Sequence, residues 1–107
     1  MENIKIPDNK EITYFGKTNF RNADMLFGIK QKDRRQHMYV VGKSGAGKSV
    51  LMENMIVQDI QRGEGVCIID IHGELIENIL HLIPDNRVQD VIYFNPADTD
   101  YSIDINV

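Results

Sequence analysis

Residues Gly42 to Ser49 read Gly-Lys-Ser-Gly-Ala-Gly-Lys-Ser, and this octapeptide constrains the fold more than any other part of the chain. Glycine at 42, 45 and 47 removes the Cβ atoms that would stop the backbone from curling tightly. Ahead of it, His37 to Val41 (HMYVV) is a short β-branched and aromatic run that predicts a buried strand. After it, Leu51, Met52, Met55, Ile56 and Ile60 recur at helical spacing and predict one apolar helix face.

A strand, a glycine-rich turn and a helix in that order match G-x-x-x-x-G-K-[ST] at every position, in the context the pattern requires. The residue types suit a nucleoside triphosphate. Gly42, Gly45, Gly47 and the small Ser44 and Ala46 let backbone N–H groups turn inward as an anion nest. The helix starting near Lys48 adds its unpaired N–H groups and positive dipole end. Lys48, the catalytic candidate, reaches the β- and γ-phosphates as a point charge, and the Ser49 hydroxyl is a hard ligand for Mg²⁺. Lys43 is an extra cation, expected to face solvent. The expected ligands are therefore ATP and Mg²⁺. The competing reading, a glycine turn with no ligand, explains neither the Lys-Ser pair nor its placement.

Further along, Arg62 and Gly63 predict the end of the first helix. Val66 to Ile69 (VCII) and Val91 to Phe94 (VIYF) predict two more strands. Between them Leu75, Ile76, Ile79, Leu80 and Ile83 predict a second amphipathic helix stopped by Pro84. Residues 1–11 are polar and expected to be loose, Ile12–Phe15 and Phe27–Lys30 predict short strands, and 31–36 (QKDRRQ) a turn. Strands alternating with helices imply an α/β fold with a mostly parallel sheet. The expected organisation is a strand and loop segment at 1–36 and the amino-terminal part of a three-layer α/β/α, RecA-like P-loop domain at 37–107. About three core strands make half of a usual doubly wound sheet, so the domain reads as truncated.

Asp70 ends the apolar run VCIID and admits two readings. A carboxylate at the carboxyl end of a strand can hold a Mg²⁺-bound water, as a Walker B residue does. It can equally start a turn or cap the helix beginning near Gly73 or Glu74. His72 and His81 lack a Cys/His cluster and predict no metal. His72 follows Asp70, which admits a place on the nucleotide side of the sheet, but a solvated or hydrogen-bonded surface histidine is the simpler reading. Cys67 and the Met52–Met55 pair read as core packing.

With 42% hydrophobic and 26% charged residues, the 107-residue chain has the composition of one globular domain. No stretch approaches the roughly 18 apolar residues of a membrane span. A single cysteine and no secretory signal pattern point to the cytoplasm. The net charge of −4 conceals a basic excess over residues 1–36. That excess reads either as a solvated surface or as a face for nucleic acid or a partner, and the overall acidity argues against strong DNA binding by this piece alone.

The run from His37 to Leu75 followed by Val91-Ile-Tyr-Phe-Asn-Pro-Ala-Asp98 resembles the amino-terminal part of the HerA/FtsK-type ATPases. Among these it resembles the type IV secretion coupling proteins, the TraG/TraD group. Three elements carry the likeness in order: GKSGAGKS, Asp70-x-His72-Gly73-Glu74 and Asn95-Pro96-x-Asp98. The resemblance covers residues 27 to 107. It implies a hexameric ring motor that uses ATP to move DNA, at the inner face of the membrane through secretion partners. It also implies that the Mg²⁺-directing carboxylates come later than Asp70. No later Walker B strand, catalytic glutamate, sensor or arginine finger is identifiable, and Arg62 and Arg87 match no such motif. The expectation is an amino-terminal part of a longer ATPase that binds ATP and hydrolyses it poorly alone. The alternative is a nucleotide-binding module, or a small kinase-like P-loop protein, without a DNA role.

Overall fold

The computed structural model describes residues 11–21 and 23–96. The expectations for residues 1–10 and for Asp98 lie outside them. The chain opens with an antiparallel hairpin, β1 (Ile12–Phe20) and β2 (Ala23–Lys30). Both strands are longer than their apolar ends predicted, because hairpin pairing carries the polar Lys17–Asn19 stretch against Asp24–Leu26. The register shifts between Tyr14 and Gly16, which leaves Phe15 as a bulge. Gly28 lies so close to β1 that a Cβ there would sit 2.0 Å from the Thr13 carbonyl oxygen, so only glycine fits. The ring of Phe15 meets that of Phe27 edge to face, centroids 6.3 Å apart.

One helical turn follows, α1 (Gln31–Arg34), where the polar run had predicted a simple turn. Next come α2 (Lys48–Gln61), α3 (Glu74–Leu80) and a 3-10 helix at Asp85–Asp90. α2 lies where the 3.6-residue period placed it and ends at Arg62-Gly63 as expected, whereas α3 starts where predicted but ends at Leu80, short of Ile83 and Pro84. Pro84 sets the start of the 3-10 helix, and Arg87 reaches back from it to donate to the carbonyls of Ile60 (2.8 Å) and Glu64 (3.3 Å). It thereby caps the end of α2.

The structure shows an α/β arrangement but not the expected parallel sheet: among the described residues the segments at 37–41, 66–69 and 91–94 form no ladder, and the two-stranded hairpin is the sheet. An apolar run dictates an extended backbone but not what lies beside it. Ladder bonds need a neighbour about 4.8 Å away, and here Ile69, Ile71 and Ile92 stay exposed. Cys67 is likewise exposed, not a core residue.

The expected apolar face of α2 is only half-buried, and Met52 is exposed. The buried residues of that helix are Gln58 and Asp59. Ile79 of α3 is the buried apolar side chain among the described residues.

Candidate functional site: the 42–49 loop

The loop turns at Lys43–Ala46, where the Ala46 N–H donates to the Lys43 carbonyl at 3.0 Å. Gly45 (φ +81°) and Gly47 (φ +93°) take the left-handed region, and open space surrounds the position of a Cβ at each. A side chain at either would be strained by the backbone and not by crowding. Gly42 is constrained differently. A Cβ there would lie 3.2 Å from the Ala46 Cβ and from the Lys48 Cγ, because the Lys48 stem crosses over it.

Lys48 opens α2 with Gly47 as the flanking residue, and no side chain caps this helix end. The Leu51 N–H donates back to the carbonyl of Gly47 at 3.0 Å. The N–H groups ahead of Leu51 are those that a helix start leaves without intrahelical partners. No acidic residue in the first turn offsets the positive end of the dipole. The Lys48 ammonium donates to the Gly42 carbonyl and so sits inside the loop. Lys43, Ser44 and the Ser49 hydroxyl are exposed. Unpaired N–H groups, one held ammonium and an accessible hydroxyl make a donor set that fits a polyphosphate and its Mg²⁺.

Asp70 lies at the end of its extended segment, as the sequence placed it, and its carboxylate is engaged locally. One oxygen accepts the His72 N–H at 3.2 Å; the other accepts those of Leu75 at 2.9 Å and Ile76 at 3.4 Å. Desolvation works to raise the Asp70 pKa, but the backbone N–H groups of Ile76, Gly73, His72 and Leu75 outweigh it and leave it below the ordinary carboxylate value. This geometry is that of a turn and helix cap. His72 is exposed, and the His81 Nδ1 lies 2.7 Å from the Glu77 carbonyl oxygen. No group of three His, Cys, Asp or Glu side chains among the described residues is arranged to hold a metal.

A cleft of about 710 Å³ opens between the 66–70 and 91–96 segments and α3. Ile68, Ile76, Ile79 and Tyr93 line it, and no residue of the 42–49 loop does. The sequence reading missed a polar cluster at the other end of α2. The Arg34 guanidinium donates to both carboxylate oxygens of Asp59 and to Thr13 Oγ1. Gln58 pairs with the backbone of Tyr14. Two polar residues in the last turn of a helix read as solvated, and only contact with the hairpin reveals them as buried.

A family model for the central domain of the helicase HerA matches residues 14–107. Neither the comparison with curated proteins nor that with solved structures gives a match. Among the described residues, no helix is long and apolar enough to cross a membrane.

Proposed function

The chain belongs to the family of the HerA helicase central domain, a family of P-loop ATPases, and from that premise we propose that it is the ATP-binding portion of a DNA-translocating motor. The observation that carries the reading is the geometry at Gly42–Ser49. Two left-handed glycines, an uncapped helix start and a lysine held over the loop converge on one patch of backbone donors.

On this reading the N–H groups of Ser44, Gly45, Gly47, Lys48 and Ser49 hold the phosphates, and Lys48 exchanges the Gly42 carbonyl for a phosphate oxygen. Ser49 supplies a ligand to Mg²⁺, which neutralises charge on the phosphates. Asp70 serves the turn into α3, in keeping with the N–H groups it accepts from His72, Leu75 and Ile76. Lys43 remains a solvent-facing cation that raises the local positive potential.

The family supports a homo-oligomeric ring. The DNA substrate, the likeness to type IV secretion coupling proteins and a cytoplasmic position beside a membrane-bound secretion machinery belong to this proposal. They rest on Asp70-x-His72-Gly73-Glu74 and Asn95-Pro96-x-Asp98.

The test is a graft of residues 37–96 in place of the corresponding segment of a HerA-type helicase. Retained DNA-stimulated phosphate release, abolished by Lys48→Ala within the graft, is the expected result. A graft that binds nucleotide but has lost all response to DNA reduces the reading to a nucleotide-binding module.

A further inference from the structure

The deepest side chains described are mostly polar: Thr13 is 0% exposed, Gln58 5% and Asp59 9%. They meet where the carboxyl half of α2 crosses β1. Gln58 acts there as a two-sided amide. Its Oε1 accepts the Tyr14 N–H at 2.9 Å and its Nε2 donates to the Tyr14 carbonyl at 2.7 Å, so it occupies the outer edge of β1 as a neighbouring strand would. Beside it the Arg34 fork meets Asp59 at 2.8 and 2.7 Å, a pairing that tolerates little displacement. The hydrogen bonds to Asp59 raise the Arg34 pKa above its ordinary value against the lowering effect of burial, so the guanidinium keeps its charge.

This cluster and the phosphate-binding residues share one helix. Lys48 and Ser49 begin α2, and Gln58 and Asp59 lie about 15 Å further along it at 1.5 Å per residue. The helix, KSVLMENMIVQDIQ, contains no glycine or proline at which it would bend. The second connection is the chain itself. Arg34 leads within three residues to His37, a non-glycine residue at φ +73° whose N–H donates to the Arg34 carbonyl, and then to the loop. Hairpin, α1, residues 37–41, loop and α2 thus form a closed circuit, and the Arg34–Asp59 and Gln58–Tyr14 contacts close it.

We propose that Arg34, Gln58 and Asp59 are positioning residues that couple occupancy of the 42–49 loop to the order of the β1–β2 hairpin. The inference rests on the nucleotide-binding reading of that loop. A ligand that fixes the amino end of α2 also fixes Gln58 against β1, and by linkage a tighter clasp favours the ligand equally.

The experiment is amide hydrogen exchange on the purified chain with and without Mg²⁺ and a non-hydrolysable ATP analogue. Affinity is measured in parallel by calorimetry. The Tyr14 amide reports the clasp, and the Ile79 amide in α3 reports general stabilisation. The analogue is expected to slow Tyr14 about fivefold or more beyond Ile79, the lower end of typical couplings. Arg34→Met with Asp59→Leu, an apolar pair chosen because it keeps packing, is expected to lose that difference and a like factor in affinity. Arg34→Lys, which keeps the charge but not the fork, gives a partial loss. Equal slowing at both amides despite measurable binding overturns the coupling and leaves the loop assignment intact. Absence of binding to the unsubstituted chain overturns both.

Discussion

The Asp70 carboxylate accepts the backbone N–H of Leu75 at 2.9 Å, five residues along the chain, and so bends the end of one apolar segment into the start of α3. Its pKa in the fold lies below the ordinary value, so the sign of its pH effect is fixed. The charged form is the one the fold prefers. Its contribution is fully present above the unfolded pKa of about 3.9 and is lost as pH falls through the folded value. Asp70→Asn is therefore expected to lower Tm at pH 7, and the gap to the parent protein should close below about pH 4. The same substitution should weaken Mg·ATP binding less than Ser49→Ala does. Thermal melts across pH and paired titrations check both; the reverse order in the titrations would make Asp70 a Mg²⁺-directing residue.

Gln58 makes the second prediction. Gln58→Ala strips the partner from both the N–H and the carbonyl of Tyr14, and an unsatisfied buried polar group costs about 1–3 kcal/mol. Denaturant unfolding should show a loss on the order of 2 kcal/mol or more. Gln58→Glu keeps the acceptor for the Tyr14 N–H but sets an oxygen against the Tyr14 carbonyl, so it should not rescue stability. Full rescue by glutamate would mean that packing, not the paired amide, is what matters there.

Local patterns made the helices legible, and long-range pairing was not. Leu51, Met55, Ile56 and Ile60 recur at 3.6 residues, and α2 lies where they put it. The loop was legible because its glycines, lysine and serine each answer a local demand of backbone or charge. The parallel sheet was not, because Val66–Ile69 and Val91–Phe94 encode extension without naming a neighbour. The burial of Gln58 and Asp59 depends on where the hairpin crosses α2, a contact spanning 44 residues between Tyr14 and Gln58. No window of helical periodicity reaches that far.

Exposed extended segments carry a consequence for solution behaviour. Tyr39, Ile69, Ile71 and Ile92 are each close to nine-tenths exposed, next to backbone that forms no ladder. Unpaired extended backbone with apolar side chains pairs with other chains. The purified chain is expected to self-associate at micromolar concentration, and Ile69→Lys with Ile92→Lys to reduce it. A monodisperse monomer in light scattering with a cooperative melt would contradict this.

Binding and hydrolysis are separate demands. On the proposed reading Lys48, Ser49 and the loop backbone answer the first, whereas an oriented water and a carboxylate to receive its proton are needed for the second. The Asp70 oxygens accept backbone N–H groups of the turn into α3, so on the proposed reading this residue serves the turn and not that role. An arginine finger is worth on the order of 10³–10⁵ in rate where one is used. Of the two arginines near the end of α2, Arg87 is engaged as a helix cap. The 107-residue chain alone is expected to release phosphate at a near-background rate, unchanged by DNA. Turnover of about one per second, in the range of working phosphoryl-transfer enzymes and abolished by Lys48→Ala, would show a complete catalytic set.

The central claim is that Gly42–Ser49 binds a nucleoside triphosphate with Mg²⁺. Isothermal titration calorimetry of the purified chain with Mg·ATP, repeated on Lys48→Ala and Ser49→Ala, measures it directly. The predicted result is saturable one-to-one binding to the parent, loss of binding in Lys48→Ala, and a weaker, less Mg²⁺-dependent isotherm in Ser49→Ala. A folded parent chain that shows no heat of binding up to millimolar Mg·ATP, or a Lys48→Ala variant that binds as tightly as the parent, would contradict it.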